Sequence, residues 1–167
     1  KYNLKIVSLT GDCFMQAPFW KATEIAVKNQ RKDDFLAICN ACSVIGIEYV
    51  VIPLVDAGAF QSKSQEDEFV EFCVRNSSKF DHLNIKVLFE SDYAAAELGR
   101  FIQRFPHEIF GINYDIGNSA ALGYDPKEEF SEYGDRILNV HVKDRVLGGT
   151  TVAIGSGNAN FEEVFNE

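Results

Sequence analysis

The stretch "IEYVVIPLV" (47–55) is an almost unbroken run of β-branched and other apolar residues, and Asp56 follows it directly. A run of this kind predicts a β-strand that is covered on both faces, as strands in parallel sheets are. Segments with helical spacing of apolar residues stand on either side of it, at 33–46 and 64–80. This order of helix, strand and helix predicts a βαβ unit.

The same unit recurs along the chain. A sheet of five parallel strands follows from the alternation, because parallel strands are joined by right-handed helical crossovers. The pattern fits a doubly wound open sheet or part of a (β/α)8 barrel, and no G-x-G-x-x-G follows any strand, so the barrel is favoured. The predicted strands are 4–9, 47–55, 85–90, 109–115 and 136–142, and the predicted helices are 18–30, 33–46, 64–80 with Ser64 as N-cap, 92–105, 125–134 and one beginning at 160.

Length and charge limit the classes of function. The 167 residues form one domain of ordinary composition, with 46% hydrophobic residues and a formal net charge of −9. An acidic chain is poorly suited to neutralise phosphates, so nucleic acid is not expected as a partner. The sequence has no 18-residue apolar run and no signal-peptide pattern at its start, so we expect no membrane partner and a cytoplasmic location.

Cys39 and Cys42 form a C-x-x-C, which could indicate zinc binding or redox chemistry. Both thiols fall on the same face of the predicted helix 33–46, and no second C-x-x-C completes a zinc site. We therefore expect them to be core residues.

Polar residues end every predicted strand. Glu90, Asp115 and His141 end three successive strands, and the carboxyl ends of parallel strands lie on one rim, where binding groups collect. Two carboxylates and an imidazole suit a divalent ion such as Mn²⁺, Mg²⁺, Co²⁺ or Zn²⁺. Each residue alone has an ordinary explanation: the glutamate could start a helix, the aspartate could form a turn, and the histidine could be a core residue. Together on one rim they predict a metal site.

Five further residues near this rim are candidates to contact a substrate: Asp12, Trp20, Asn118, Lys143 and Arg145. Arginine offers a planar set of donors for a substrate oxygen or a phosphate. Salt bridges of Lys143 and Arg145 with Asp144 or Asp12 are an alternative. The aromatic ring of Trp20 could equally line a substrate pocket or pack in the core.

Several motifs in this order resemble the sugar phosphate isomerase/epimerase group of xylose isomerase-like TIM barrels. They are "VLFESD", "GINYDIGNSAALGYD", "ILNVHVKDR" and "GGTTVAIGSGNANFEEVF", with "SLTGDCFMQAPF" and "VVIPLVD" as earlier strand ends. The resemblance covers nearly the whole chain. It implies that residues 1–167 are a single domain truncated at both ends, which spans the third to seventh strands, or about five to six βα units, of a barrel that typically needs ~250 residues.

The resemblance also implies a ligand set and a reaction. The family holds its metal with a Glu, an Asp, a His and a second Glu; the first three match Glu90, Asp115 and His141, and the second Glu has no counterpart in this sequence. The implied activity is metal-dependent isomerisation or epimerisation of a keto-sugar or sugar phosphate through an enediolate, with Glu90 as ligand and acid/base.

Other functions remain open on the sequence. A dehydratase or lyase of a polyol or keto-sugar needs the same groups, and a catalytically inactive fragment is a further alternative. A DNA-repair endonuclease of the same fold is disfavoured by three histidines and the acidic charge. An incomplete barrel leaves two open sheet edges, so we also expect the chain to associate, as a homo-oligomer or as part of a longer protein.

Overall fold

The computed structural model describes residues 4–167 and contains one parallel five-stranded sheet. The strands lie in the order β1-β2-β3-β4-β5, which is also their order along the chain. A doubly wound sheet would reverse its order at a switch point, whereas a barrel adds each strand beside the previous one. The predicted incomplete barrel is confirmed. Its strands are Ser8–Thr10 (β1), Tyr49–Leu54 (β2), Lys86–Ser91 (β3), Phe110–Asp115 (β4) and Ile137–His141 (β5).

Helices connect the strands and cover one face of the sheet. A short antiparallel hairpin of β6 (Asp144–Arg145) and β7 (Thr151–Val152) follows β5. The helices are Asp12–Gln16 (α1), Ile25–Val44 (α2), Lys63–Arg75 (α3), Ser77–His82 (α4), Ala95–Ile102 (α5), Ile116–Leu122 (α6), Pro126–Tyr133 (α7) and Phe161–Val164 (α8).

The two faces of the sheet carry different side chains because successive residues of a strand point to opposite sides. On the outer face the strand residues pack with aromatic side chains from the helices into one buried cluster, which includes Ile52, Phe89 and Ile112 from the sheet and Phe69 and Phe101 from the helices. On the inner face Leu88 is fully buried, and two residues further along β3 stands Glu90. The inner face therefore becomes polar towards the carboxyl ends of the strands.

Some predicted boundaries were wrong. Helices 18–30 and 33–46 were expected to be separate, but α2 runs without a break from Ile25 to Val44, preceded by a 3-10 turn at Phe19–Lys21. The segment 64–80 forms two helices, α3 and α4, and the N-cap is Ser62, whose hydroxyl accepts a hydrogen bond from the backbone N–H of Gln65, rather than Ser64. Serine caps equally well at either position, so local sequence did not decide between them.

The cysteines of the C-x-x-C lie in the core, with Cys39 and Cys42 at 0% and 3% exposure and no disulfide. Burial, with the nearby Cys42, raises the pKa of the Cys39 thiol to about 12. A thiol of this kind remains protonated and unreactive at neutral pH. Within residues 4–167, no helix combines the length and the apolar character needed to cross a bilayer.

Apolar side chains are exposed at both edges of the sheet. Leu4 and Ile6, before β1, are 86% and 74% exposed, and Val142, after β5, is 50% exposed. In a closed barrel such positions would contact further strands. Association through these edges remains a prediction.

Candidate metal centre

Glu90, Asp115 and His141 lie together at the carboxyl ends of β3, β4 and β5. One possible ligand atom from each lies within 4.8 Å of the other two, and among residues 4–167 these three form such a group. Glu90 and Asp115 are buried, at 8% and 6% exposure, while His141 is half-buried. The sequence-predicted ligands are therefore brought to one place on the inner face.

A register shift in the sheet aims His141 at this place. Ile112 of β4 pairs with Ile137 of β5, but from Asn113 onward the pairing moves by one residue, so that Asp115 stands opposite His141. Without the shift Asp115 would stand opposite Val140, and the histidine would point to the other face. The irregularity at Leu138 is what places an imidazole, rather than an isopropyl group, beside the carboxylates.

The carboxylates and the imidazole are in direct contact. Nδ1 of His141 lies 3.1 Å from Oε2 of Glu90 and 3.7 Å from Oδ2 of Asp115. The adjacent carboxylates of Asp115 and Glu90 favour the charged imidazole and raise the pKa of His141 to about 9. Burial opposes the ionisation of Asp115, but the nearby imidazole of His141, the ammonium group of Lys143 and the backbone N–H of Asn118 outweigh it and lower the pKa of that carboxyl. The cluster thus attracts positive charge.

Two side-chain amides hold the glutamate. Nδ2 of Asn113 donates to Oε2 of Glu90 at 2.8 Å and lies 3.0 Å from Nδ1 of His141, and Nδ2 of Asn118 donates to Oε1 of Glu90 at 2.9 Å. Asn139 of β5 in turn donates to Oδ1 of Asn113 at 2.6 Å. Both oxygens of the buried carboxylate have a donor, which fixes the plane of the group.

Lys143 contacts the cluster directly. Its Nζ lies 2.9 Å from Oδ2 of Asp115, so its partner is a predicted metal ligand and neither Asp144 nor Asp12. Gly117 makes room for the lysine, because a Cβ at that glycine would lie 2.5 Å from Cγ of Lys143.

Arg145 and Asp144 lie in the hairpin beside the cluster. Nη1 of Arg145 donates to Oδ1 of Asn118 at 2.8 Å, and its Nε and Nη2 donate to the carbonyl oxygen of Gly149. The buried carboxylate of Asp144 accepts hydrogen bonds from the backbone N–H groups of Gly155, Gly157 and Ala159, at 2.8–3.0 Å. These N–H groups belong to the glycine-rich loop 155–160 and are therefore bonded within the protein.

Asp12 and Trp20 are not brought to the cluster. Asp12 is exposed at the start of α1 and is not one of the three grouped ligands. Trp20 is 3% exposed in the core, and its Nε1 donates to the carbonyl oxygen of Gly58 at 3.1 Å. Of its two predicted uses, packing in the core is the one that the structure shows.

Two further polar residues, Asn113 and Glu129, were not predicted from the sequence. Asn113 lies two residues before Asp115 in β4, so both side chains point to the same face of the sheet. The alternation of the strand could therefore have indicated that Asn113 lies beside Asp115. Glu129 of α7 is 3% exposed and accepts hydrogen bonds from the hydroxyls of Tyr114, Ser119 and Tyr133. Charged residues are common in helices, so no local signal distinguished Glu129 from its neighbours.

These features define the chain as part of a parallel α/β barrel with a cation-attracting group of two carboxylates and an imidazole at the carboxyl ends of its strands. The model of the xylose isomerase-like TIM barrel family matches residues 1–167, and the chain belongs to that family. The resemblance drawn from the motifs is confirmed.

The chain is similar in sequence or in fold to several named proteins. The inosose dehydratase of Lacticaseibacillus casei is 25% identical in an alignment 154 residues long, which covers 85% of this chain and 51% of that protein. The structure of an IOLI protein with a bound zinc atom superposes with a TM-score of 0.74 at 15% identity, over 96% of this chain and 61% of its own. A D-tagatose 3-epimerase-like protein gives a TM-score of 0.73 at 18% identity, over 98% and 66%.

The chain spans about half the length of the curated relatives that it matches. At 15–18% identity, the structural likenesses show the fold alone.

Proposed function

We propose that this chain supplies the metal-binding and proton-transferring wall of a metal-dependent isomerase or epimerase of a keto-sugar or sugar phosphate. The observation that carries the proposal is the convergence of Glu90, Asp115 and His141 on one rim, with Lys143 beside them. Membership of the xylose isomerase-like family and the likeness to a D-tagatose 3-epimerase-like protein support it.

The donor set fits a divalent cation. Two buried carboxylates face an imidazole whose pKa they raise to about 9, and one of them also binds an ammonium group, so the cluster collects positive charge from its own side chains. Oxygen and imidazole nitrogen donors suit Mg²⁺, Mn²⁺, Co²⁺ and Zn²⁺. When bound, such an ion would polarise the carbonyl of a substrate and so lower the cost of removing a proton from the adjacent carbon.

Glu90 is the proposed acid/base. It is buried, and amides fix both of its oxygens, so its orientation is set before a substrate arrives. In the proposed reaction the carboxylate removes the proton from the carbon next to the carbonyl, and the substrate becomes an enediolate. Return of a proton to the opposite face of that carbon gives an epimer, and return to the neighbouring carbon gives an isomer. The family resemblance assigns one such return to a second glutamate, which has no counterpart in residues 1–167.

A second candidate function is dehydration of a polyol or keto-sugar, and the 25% identity to an inosose dehydratase favours it. Its first step is the same removal of a proton beside a carbonyl. The pathways then separate, because a dehydratase breaks the C–O bond at the next carbon, and the hydroxyl leaves as water with the proton that was removed in the first step.

Proton exchange in heavy water tests the proposal. The protein, loaded with Mg²⁺, Mn²⁺, Co²⁺ or Zn²⁺ in turn, is incubated with dihydroxyacetone, D-tagatose or inosose in D₂O and followed by ¹H NMR. Exchange with retention of all hydroxyl groups supports the isomerase or epimerase, whereas loss of water from inosose supports the dehydratase.

Matched variants make the result specific. Glu90→Gln should abolish exchange, whereas Glu97→Gln, in α5 outside the cluster, should leave it unchanged. If the protein binds none of these metals and no substrate exchanges its proton, both candidate functions are excluded for this chain.

A further inference from the structure

The side chain of Arg145 does not extend freely towards the rim. Its Nε and Nη2 donate to the carbonyl oxygen of Gly149 at 3.2 and 2.7 Å, and its Nη1 donates to Oδ1 of Asn118 at 2.8 Å. An arginine side chain that is positioned to bind a substrate phosphate would direct its paired N–H groups into the open space of the site. Here both ends of the guanidinium group are bonded to the protein.

Asn118 links this arginine to Glu90. The amide of Asn118 is 8% exposed, and its Nδ2 donates to Oε1 of Glu90 at 2.9 Å. An asparagine side chain has one end that accepts and one that donates, whereas a guanidinium group can only donate. By occupying Oδ1, Arg145 leaves the NH₂ group as the end that faces the carboxylate.

The hairpin holds Arg145 in place. The backbone carbonyl of Arg145 accepts a hydrogen bond from the N–H of Asn158 at 2.9 Å. The neighbouring Asp144 binds three N–H groups of the glycine-rich loop. The loop is therefore fixed to the strand that carries the arginine. Its N–H groups at Gly155, Gly157 and Ala159 are therefore already bonded to Asp144.

We propose that Arg145 is a positioning residue for Glu90 and acts through the side-chain amide of Asn118. The three side chains form one line of hydrogen bonds, in which the arginine sets the orientation of the amide and the amide sets the plane of the carboxylate. The catalytic part of this inference rests on the proposed function of Glu90, but the structural part does not. It gives Arg145 a different role from the substrate contact that its position in the sequence indicates.

The first test is spectroscopic and needs no activity. In the metal-free ¹⁵N-labelled protein, Arg145→Met should shift or broaden the side-chain NH₂ resonances of Asn118, because the amide then loses the partner that fixes its orientation. Arg75→Met, on an exposed arginine of α3, is the matched control and should leave those resonances unchanged. Unchanged Asn118 resonances in Arg145→Met would overturn the inference.

The second test separates positioning from substrate binding. Dihydroxyacetone has neither a phosphate nor a distal chain, so a substrate contact of Arg145 would be largely absent with it. Positioning predicts that Arg145→Met lowers kcat for its proton exchange by about 10- to 100-fold with KM changed less than about twofold. A raised KM with an unchanged kcat would overturn the inference.

A double-mutant cycle completes the test. If Arg145 acts through Asn118, the loss caused by Arg145→Met should nearly vanish in an Asn118→Ser background, because the link is already broken. Losses that multiply would show independent roles. Arg145→Lys, which retains the charge and most of the stem, should recover part of kcat and serves if Arg145→Met does not fold. If the wild-type protein exchanges no proton, the proposed function fails, and the NMR comparison still decides on the hydrogen-bonded link.

Discussion

Nζ of Lys143 lies 2.9 Å from Oδ2 of Asp115, the oxygen that also lies 3.7 Å from Nδ1 of His141. An ammonium group is thus bound to a predicted metal ligand. A divalent ion that binds Asp115 must either displace the ammonium group of Lys143 or bind beside it, and charge repulsion then weakens its binding.

Lys143→Met should therefore strengthen metal binding. A charge–charge interaction at a few ångströms is worth about 1 kcal/mol in water and about 4 kcal/mol near a protein surface, so we expect Kd for Mn²⁺ to fall by roughly tenfold. Isothermal titration calorimetry of the purified variant measures the change.

Two further variants control this result. Lys127→Met, on an exposed lysine of α7 that pairs with Glu163, removes the same charge far from the cluster and should leave Kd unchanged. Gly117→Ala should act in the same direction as Lys143→Met, because its methyl group would meet the lysine stem. Weaker Mn²⁺ binding in Lys143→Met would mean that the lysine supports the site by orienting Asp115.

The loop bound by Asp144 should make stability depend on pH. Burial opposes ionisation of this side chain, but the N–H groups of Ala159, Gly157 and Gly155 outweigh it, so the pKa of Asp144 lies below its ordinary value of 3.8. A carboxyl with a lowered pKa in the folded state stabilises the fold above its unfolded pKa, and this contribution is lost as the pH falls through the folded pKa.

Asp144→Asn should consequently be less stable than the wild type at pH 7, and the difference should shrink as the pH falls below 3.8. Urea unfolding between pH 7 and pH 3 measures both free energies. Asp81→Asn, on the exposed face of α4, provides the reference for removal of a surface charge. A difference that grows on acidification would contradict the assignment.

Glu129 should be important for stability. Its carboxylate is 3% exposed and accepts three hydroxyl hydrogen bonds, from Tyr114, Ser119 and Tyr133. In Glu129→Gln one acceptor becomes a donor that faces these hydroxyls, and we expect a loss of about 1–3 kcal/mol in the free energy of unfolding. The exposed neighbour on the same helix gives the control, Glu128→Gln, for which a change below about 0.5 kcal/mol is expected. Equal losses in the two variants would show that the buried hydrogen bonds contribute little.

The sheet and the meeting of Glu90, Asp115 and His141 on one rim could be predicted from sequence because the signals are local. A run such as 47–55 indicates a buried strand by itself, and strand ends fall on one rim by topology alone. The helix α6 was missed, although Asp115 caps it by accepting a hydrogen bond from the N–H of Asn118 at 2.8 Å, and Gly123 ends it with φ 74°. The same aspartate could have formed a turn, and a helix of seven residues carries little periodicity.

Contacts between distant parts of the chain could not be predicted in this way. The shift in pairing after Ile112 changes which residue of β5 faces Asp115, and nothing in the sequence of either strand marks it. The partners of Lys143 and Arg145 likewise depend on how the hairpin folds against α6. The sequence predicts that these two residues lie near the rim, but their contacts with Asp115 and Asn118 arise only from the fold.

The sequence position of Trp20 allows two uses, packing in the core or contact with a substrate, and a single variant can distinguish them. The indole ring packs edge-on against Phe69, with ring centroids 4.9 Å apart, and its Nε1 donates to the carbonyl oxygen of Gly58. Trp20→Phe keeps much of the packing but removes the hydrogen bond and part of the buried area. We expect it to lower the free energy of unfolding by about 1–3 kcal/mol, measured by urea unfolding.

The affinity for Mn²⁺ should be the same in Trp20→Phe as in the wild type, because the indole does not belong to the ligand cluster. The KM for D-tagatose separates the two roles: a core residue leaves it unchanged, whereas a wall of the substrate pocket raises it. Phe60→Leu is the matched control, because the ring of Phe60 packs on Trp20 with centroids 5.5 Å apart. This variant disturbs the aromatic packing around Trp20 without altering the indole. A raised KM in Trp20→Phe but not in Phe60→Leu would assign the indole to the substrate site despite its burial.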